Sequence, residues 1–440
     1  MAATFSVVGL FVALALLVIL IFRGWHMAVA AFLAAMVVIL TSGMDIWPKV
    51  SETFAGGFQK FAGTWFLMFT LGATFGKIME VSGASSSIAN SVVRLVGHKH
   101  VVLVVLVTTM VLAYGGIGTF IIAFTMYPIC LALFKEGNVP KRVFPGLLLA
   151  QPATTCMVAL PGTTAISNML PTQVFGTTIY AAPMMGILTS IFIFSLHYTY
   201  FTWVVRRCWK RGDNFIPGDH DVIVDFTSAE AVAKLPRPFV AFIPIIVLVV
   251  SIFIFQLTLK ISNYAVVLGI TLAIVVGIFL FKNKLSAKQV IADGTGNGFN
   301  ALMMISCIMG FGAVVTDTAA FKNCVDWLLS MKINPLLFAF IAVNVICAIT
   351  GSSVGGLSIF LNTMGSYMLT TGIQPEALHR LMALASAGFD AMPHSSGPVL
   401  ANVVAKTEMR DTYQYVFMSI CIIPVLGYGF AVGLYYLGII

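Results

Sequence analysis

Runs of roughly 18 or more apolar residues recur along the whole chain, each long enough to cross about 30 Å of hydrocarbon as an α-helix. They predict ten crossings, at residues 5–22, 25–40, 61–80, 143–170, 180–205, 239–257, 264–281, 299–316, 377–404 and 413–436. The first run has no basic residue ahead of it and no small-residue cleavage site, so it reads as a retained anchoring helix rather than a signal peptide. One sizeable polar stretch, 206–237, opens on Arg206, Arg207, Lys210 and Arg211 and divides the chain into two similar halves. Basic residues beside spanning helices mark the cytoplasmic face, which makes this stretch a cytoplasmic linker.

Two further apolar segments are interrupted at their middles by glycine. In the first, 101–113 leads into Tyr-Gly-Gly-Ile-Gly-Thr at 114–119 and then 120–134; in the second, 335–349 leads into Thr-Gly-Ser-Ser-Val-Gly-Gly at 350–356 and then 357–369. Arms of about 13 to 16 residues reach only about 20 to 24 Å as helices. Both segments, about 99–135 and 333–371, are therefore expected to be re-entrant hairpins with tips near mid-membrane. A bare turn in hydrocarbon leaves backbone N–H and C=O groups unsatisfied, so each tip implies covering protein or a watery cavity. After each hairpin an apolar segment is broken in turn, by Ala-Leu-Pro-Gly-Thr-Thr-Ala-Ile-Ser-Asn at 159–168 and by Asp-Ala-Met-Pro-His-Ser-Ser-Gly-Pro at 390–398. Proline interrupts the helical hydrogen-bond ladder at both places.

The halves can be laid over one another. Gly72-Ala73 falls on Gly312-Ala313, Gly115 on Gly351, Gly137-x-x-Pro140 on Gly372-x-x-Pro375, and Ala159-x-Pro161 on Ala391-x-Pro393. Four matches in one order indicate an internal repeat. Lys99, Lys135, Lys141 and Arg142 flank the first hairpin and fewer charges, Lys332 and Arg380, the second, so the two halves are expected to be inverted. The fold class that results is an all-α polytopic membrane protein with an inverted repeat, two re-entrant hairpins and two broken transmembrane helices. Residues 1–60 form N-terminal scaffold helices, 61–205 the first repeat, 206–237 the linker and 238–440 the second repeat.

Each break exposes a helix N-terminus, where free N–H groups and the positive end of the helix dipole favour an anion without any arginine. Thr163, Thr164, Ser395 and Ser396 stand where N-cap residues of the following half-helices belong, and Thr119 holds that place after the first tip. The candidate substrate contacts are Gly115, Gly116, Gly118 and Thr119 at the first tip and Pro161, Gly162, Thr163, Thr164 and Asn168 at the first break. They continue with Gly351, Ser352, Ser353 and Gly355 at the second tip and Pro393, His394, Ser395, Ser396 and Gly397 at the second break. Glycine and serine also serve tight helix packing, but packing alone does not explain why the breaks recur in both halves. Asp390 and His394 are ionisable residues at membrane depth, which is costly enough to mark them as candidate proton carriers; the plainer reading is a hydrogen-bonded structural pair. Asp317, Lys77, Glu80 and His197 read as helix-end or interfacial residues.

Composition narrows the class. With 59% hydrophobic and 9% charged residues the chain cannot cover itself with polar surface, which excludes a water-soluble globule. Its net charge of +8 would suggest nucleic acid in a soluble protein, but here the basic residues lie in loops and set topology. The seven cysteines, at 130, 156, 208, 307, 324, 347 and 421, have no metal-ligand spacing and imply neither a metal site nor a disulfide framework. No cofactor is expected.

The glycine-rich third helix with Phe75-Gly76-Lys77 and Ser82-Gly83, the first hairpin, and His394-Ser395-Ser396-Gly397-Pro398 resemble the gluconate permease (GntP) family of the ion transporter superfamily, over nearly the whole chain. That resemblance implies proton-coupled uptake of gluconate, related sugar acids or short hydroxy acids in a bacterial inner membrane. It also implies a homodimer and a transport domain that slides past a fixed scaffold. The first tip, Gly115-Gly116-Ile117-Gly118-Thr119, departs from the sugar-acid members, which tend to carry Phe and Glu there, and the first break lacks a His-Pro-Gly-Pro run. A small, less polar tip suits a shorter acid such as 3-hydroxybutyrate. Sodium coupling is the rival to proton coupling, since unwound carbonyls beside Gly and Ser are ready Na⁺ ligands. An intramembrane serine hydrolase using Ser395 or Ser396, His394 and Asp390 is a reading from another class, disfavoured because adjacent His and Ser on one turn do not set base against hydroxyl. A channel lacks a ring-forming filter motif.

Overall fold

The computed structural model describes residues 2–88, 91, 97, 100–114, 119–163, 165–218, 221, 234–259, 262–330 and 333–440, and among these every regular element is helical. Helices α1 (Ala2–Phe22) and α2 (Met27–Thr41) form an antiparallel pair. The Ala-rich face of α2, with Ala30, Ala34 and Val38 at a four-residue spacing, is buried and lets the helices approach closely. Gly9 lies directly against Thr41, and Ser6 Oγ bonds Ser42 Oγ at 2.9 Å.

The centre of the molecule is the crossing of two long helices, α3 (Ala55–Val81) and α11 (Ala287–Thr316). A carbon added at Gly57 would lie 2.7 Å from Met309 O; one at Gly298 would lie 2.4 Å from Phe69 O, and one at Gly294 2.4 Å from Thr74 Cα. Residue numbers rise along α3 as they fall along α11, so the helices run antiparallel with their backbones touching. Hydropathy predicts only 299–316 of α11. The helix begins twelve residues earlier because its first half turns Asp293, Asn297 and Asn300 outward and Gly294 and Gly298 toward α3. A stripe of glycine carries no hydrophobic signal, so its inner face is invisible to a hydropathy count. A short helix, Ala319–Leu329 (α12), follows where no element is expected.

The first hairpin segment forms α4 (Val101–Tyr114) and α5 (Thr119–Glu136); residues 115–118 lie outside the described residues. Helix α5 packs on α3 where Gly76 meets Phe124 O, at 2.4 Å from an added carbon. The expected span 143–170 is divided into α6 (Phe144–Leu149), a π-helical stretch Gln151–Ala159, and α7 (Ile166–Phe175). Helix α8 (Pro183–Arg211) ends at the basic cluster, and α9 (Pro238–Leu259) and α10 (Ser262–Leu280) open the second half. Helices α13 (Pro335–Thr350) and α14 (Ser353–Leu369) form the second hairpin segment, with a turn of two residues where seven are expected. Gly356 permits this tight turn, since an added carbon there would sit 2.3 Å from Cys347 Sγ on the facing helix. The expected span 377–404 is divided into α15 (Pro375–Ala385), a 3₁₀ turn Phe389–Ala391, and α16 (Ser396–Ala405). The chain ends with α17 (Met409–Phe417) and α18 (Ile423–Tyr436) joined through a π-helical turn.

Among the described residues four helical segments are long and apolar enough to cross a membrane, Thr119–Glu136, Pro183–Arg211, Ala287–Thr316 and Met409–Tyr436. Thr119–Glu136, expected as a hairpin arm, is 72% buried inside the protein. His197, expected at an interface, is instead fully buried in the middle of α8. Its Nε2 bonds Ser419 O at 2.8 Å and its Nδ1 faces Gln151 Nε2 at 3.2 Å, which together assign the proton to Nε2.

Candidate functional site

The second hairpin turn is shaped by two residues. Gly351 takes φ +63°, a left-handed conformation that ends α13, and Ser352 caps α14 with its Oγ accepting from Gly355 N at 3.1 Å. This turn lies against the second break: a carbon added at Gly351 would be 3.0 Å from His394 Cδ2 and 3.4 Å from Ser395 Cα. Asn344 of α13 sets where the break begins. Its Oδ1 accepts from Phe389 N at 2.9 Å and its Nδ2 donates to Ala385 O at 3.0 Å. Ser353 Oγ, 3.9 Å from Met157 Sδ, ties the same turn to the π-helical stretch before the first break.

The first break is built differently. Helical structure stops at Ala159, Gly162 takes φ +86°, and α7 starts at Ile166 with Ala165 as N-cap. Thr163 is therefore not a cap, and Thr164 lies outside the described residues, as do Gly115, Gly116 and Gly118. Alanine has no oxygen to offer the first N–H groups of α7, so that terminus has no side-chain cap. Ser395 does occupy the N-cap position of α16, but its hydroxyl makes no capping bond, and Ser396 and Gly397 fall inside the helix. Thr119 likewise is the first residue of α5 rather than its cap. Tyr114, at the end of α4, sets its OH 3.5 Å from Pro161 O, and Gly162 leaves room for it and for the Tyr180 ring. Thus α4 touches the first break, and the turn after α13 touches the second.

Four site side chains are buried with polar atoms that find no hydrogen-bond partner among the described residues. These are Thr163 Oγ1 (1% exposed), Ser167 Oγ (0%), Ser395 Oγ (1%) and the ring nitrogens of His394 (2%), which face the backbone of Ala348 and Ile349 without a bond of good geometry. Buried polar groups are almost always paired, so orphans at two uncapped helix starts are candidate ligand contacts, although Gln151 Oε1, Thr155 Oγ1, Thr189 Oγ1 and Arg380 Nε are likewise without partners among the described residues. Asp390 and His394 do not form the expected pair: Asp390 Oδ1 faces Gly388 N at 3.3 Å, and the His394 ring stands edge-on to Phe311 at 6.4 Å. The turn at Met392, with extended backbone, separates them.

Asn168 is enclosed in a frame. Its Nδ2 donates to Thr163 O at 2.9 Å and Ile179 O at 3.0 Å, and its Oδ1 accepts from His379 Nε2 at 3.1 Å and Arg380 Nη1 at 2.9 Å. The remaining nitrogen of His379 accepts from Thr177 Oγ1 at 2.7 Å. Arg380, expected as a loop charge flanking the second hairpin, is a correction: its side chain is fully buried in α15 and reaches across to the first break. Arginine inside an apolar run was the available signal, because an ionisable residue at membrane depth is suspect by default. Tyr114 and Asn344 carried no such signal, being ordinary residues on apolar helices.

A cavity of about 230 Å³ opens between α3, α5, α11 and α16, lined by Lys77, Glu80, Tyr127, Asp221, Asn300 and Lys406. It lies at the C-terminal end of α16, about 15 Å along that helix from Ser395. Lys77 and Glu80 pair at 2.9 Å, and Asp221 of the linker is held by Lys141 Nζ at 2.7 Å and Tyr127 OH at 2.5 Å. Asp317 pairs with Lys49 at 2.7 Å just past α11, in keeping with a helix-end role.

A model of the GntP permease family matches residues 5–394. A Bacillus subtilis protein described as an uncharacterized transporter, YxjC, is 30% identical, over 92% of this chain and 93% of its own length. A high-affinity gluconate transporter of Escherichia coli is 27% identical over a stretch covering 37% of this chain and 35% of that one. Among solved structures, the Alcanivorax borkumensis YdaH transporter is similar at 16% identity over 88% of each chain, with a TM-score of 0.39. With the family matched across nearly its whole length, the chain belongs to the GntP permease family and is a multi-pass membrane transporter, not an enzyme.

Proposed function

We propose that this transporter carries a small hydroxy-monocarboxylate, such as 3-hydroxybutyrate or gluconate, into the cell in symport with a proton. The observation that carries the reading is the pair of uncapped helix starts, α7 and α16, each beside buried hydroxyls without partners, with the buried imidazole of His394 at the second. Main-chain N–H groups there take the carboxylate, and Thr163, Ser167 and Ser395 read its hydroxyl groups. The match to a gluconate transporter supports the substrate class. Entry of a monoanion into a negative-inside cell is opposed by about 2.3 kcal/mol per 100 mV, and one proton, on His394 or Asp390, cancels that charge.

The antiparallel crossing of α3 and α11, which hold matching places in the two halves, supports an inverted repeat, as does the contact of each hairpin arm with its own break. The hairpins are then re-entrant and the breaks interrupt spanning helices. The cavity beside linker residue Asp221 is the cytoplasmic vestibule, one α16 length from the site. From the family resemblance come the bacterial inner membrane, the homodimer and elevator-like alternating access.

Uptake of labelled 3-hydroxybutyrate into proteoliposomes, with gluconate as competitor, tests the reading. Accumulation under an inward proton gradient without sodium is the expected result. Accumulation only with a sodium gradient would move the coupling ion to the carbonyls at the glycine turns, and no uptake of either acid would overturn the substrate class. Ser395→Ala and Thr163→Ala should each raise KM by about five- to tenfold, the worth of one hydrogen bond, at unchanged protein abundance. Unchanged KM in both would remove these residues from the site.

A further inference from the structure

The stretches 101–134, 143–175, 335–369 and 377–405, which build both hairpin segments and both breaks, contain only two residues among Asp, Glu, Lys and Arg: Arg380 and Asp390. Arg380 is fully buried. Its Nη1 donates to Val158 O at 3.2 Å and Asn168 Oδ1 at 2.9 Å, and its Nη2 to Ala181 O at 2.9 Å and Ile179 O at 3.4 Å. Every acceptor is a neutral dipole, and no ion pair among the described residues includes Arg380. A carbon added at Gly186 would touch both Pro161 Cδ, at 3.0 Å, and Arg380 Nε, at 3.2 Å, so the guanidinium stands directly behind the proline of the first break.

We propose that Arg380 is the fixed countercharge of the transported anion, a positioning residue that acts on the substrate through the first break without touching it. The proposal rests on the anion-transport reading above and adds a residue to it. Four neutral acceptors solvate a guanidinium but leave its unit charge in place, and arginine does not release its proton. That charge acts through a poorly screening interior, so it adds to the positive end of α7 where Thr163 Oγ1 waits without a partner. Asn168 relays position as well: held by the guanidinium, it holds Thr163 O in turn. If the carbonyls alone needed tying together, neutral donors would serve, as Asn168 Nδ2 does for Thr163 O and Ile179 O. A buried charge without a carboxylate is expensive to keep, and a carboxylate-bearing substrate removes that expense each time it binds.

The test separates charge from stapling. Arg380→Gln removes the charge, Arg380→Lys keeps it but loses the planar fork, and Asn168→Asp cancels it with a neighbouring carboxylate; because the aspartate also gives up the Nδ2 bonds to Thr163 O and Ile179 O, it is read against Asn168→Ala, which gives up the same bonds without adding a charge. KM and kcat for 3-hydroxybutyrate and gluconate are measured in proteoliposomes, with substrate binding measured on the same purified proteins. Expected is a rise in KM of about tenfold or more in Arg380→Gln and in Asn168→Asp, with kcat less affected, and recovery to within about threefold of the parent in Arg380→Lys. Equal impairment of the Lys and Gln variants with Asn168→Asp no worse than Asn168→Ala would show a staple and overturn the proposal. Should neither Arg380 variant reach the membrane, the Asn168 pair decides: a KM for Asn168→Asp no higher than that of Asn168→Ala overturns the countercharge, and one about tenfold higher supports it. A parent protein that binds no carboxylate would overturn the transport reading itself, an outcome read before any variant is compared.

Discussion

A protein carrying His394→Gln is expected to exchange labelled substrate across the membrane at a rate near that of the parent while losing concentrative uptake. The imidazole is buried against the backbone of Ala348 and Ile349, beside Gly351 of the second turn and next to Ser395. Glutamine keeps a polar side chain of similar size at that spot but cannot take up and release a proton near neutral pH. Each unit of inward pH gradient is worth about 1.4 kcal/mol per co-transported proton, or about tenfold accumulation. Under one imposed unit the parent should accumulate substrate about tenfold and His394→Gln not at all. Asp390→Asn is the companion measurement, since Asp390 is the other titratable side chain in the second break. If both variants still concentrate substrate like the parent, neither residue carries the proton. If only Asp390→Asn fails, coupling belongs to the carboxylate and His394 to substrate contact.

Much of the layout was legible because the bilayer imposes it. Glycine and proline inside apolar runs pointed to interruptions at 114–119, 159–168, 350–356 and 390–398, and helical structure stops within each of the last three. Pro161 and Pro393, matched in the sequence, each precede a ten-residue helix. What escaped was the polar half of α11 and all of α12, because periodic glycine or a mixed surface gives no hydropathy peak. Hydropathy also merged pieces: Met409–Tyr436 reads as one span, yet a π-helical turn at Met418–Ile422 divides it.

At the site, residue type was more readable than role. Thr163 and Ser395 are buried polar residues at the two breaks, but the capping role assigned to them fails because the cap position falls two residues later, at Ala165, in one case and the hydroxyl makes no capping bond in the other. Capping depends on a φ/ψ pattern that a single sequence does not carry. Arg380 shows the opposite error. It lies within the expected span 377–404, so counting it among loop charges conflicted with the placement of that span, and its buried side chain rules out the loop charge. Its acceptors come from residues about 200 positions away, a distance over which local pattern says nothing.

Gly298→Val is expected to cost about 3 kcal/mol and to lower the thermal unfolding midpoint in detergent well below that of the parent. The first added carbon alone would lie 2.4 Å from Phe69 O and 2.8 Å from Thr70 Cα, and these are backbone atoms of a helix that cannot step aside. Helices α3 and α11 would have to separate along a seam that also contains Gly57, Gly294 and Gly310. Lipid tails are as apolar as any side chain, so no hydrophobic force would hold the helices together, and close van der Waals contact is what the seam supplies. Gly296, on the same helix with nothing within 4 Å of an added carbon, provides the control. Gly296→Ala should be neutral or stabilise by up to about 1 kcal/mol, because alanine is the better helix former and meets no neighbour. A parent-like unfolding midpoint for Gly298→Val would mean that the two central helices do not meet backbone to backbone. The antiparallel crossing would then no longer support an inverted repeat. Loss of stability in Gly298→Val alone would tie the close packing of the two central helices directly to the stability of the whole transporter.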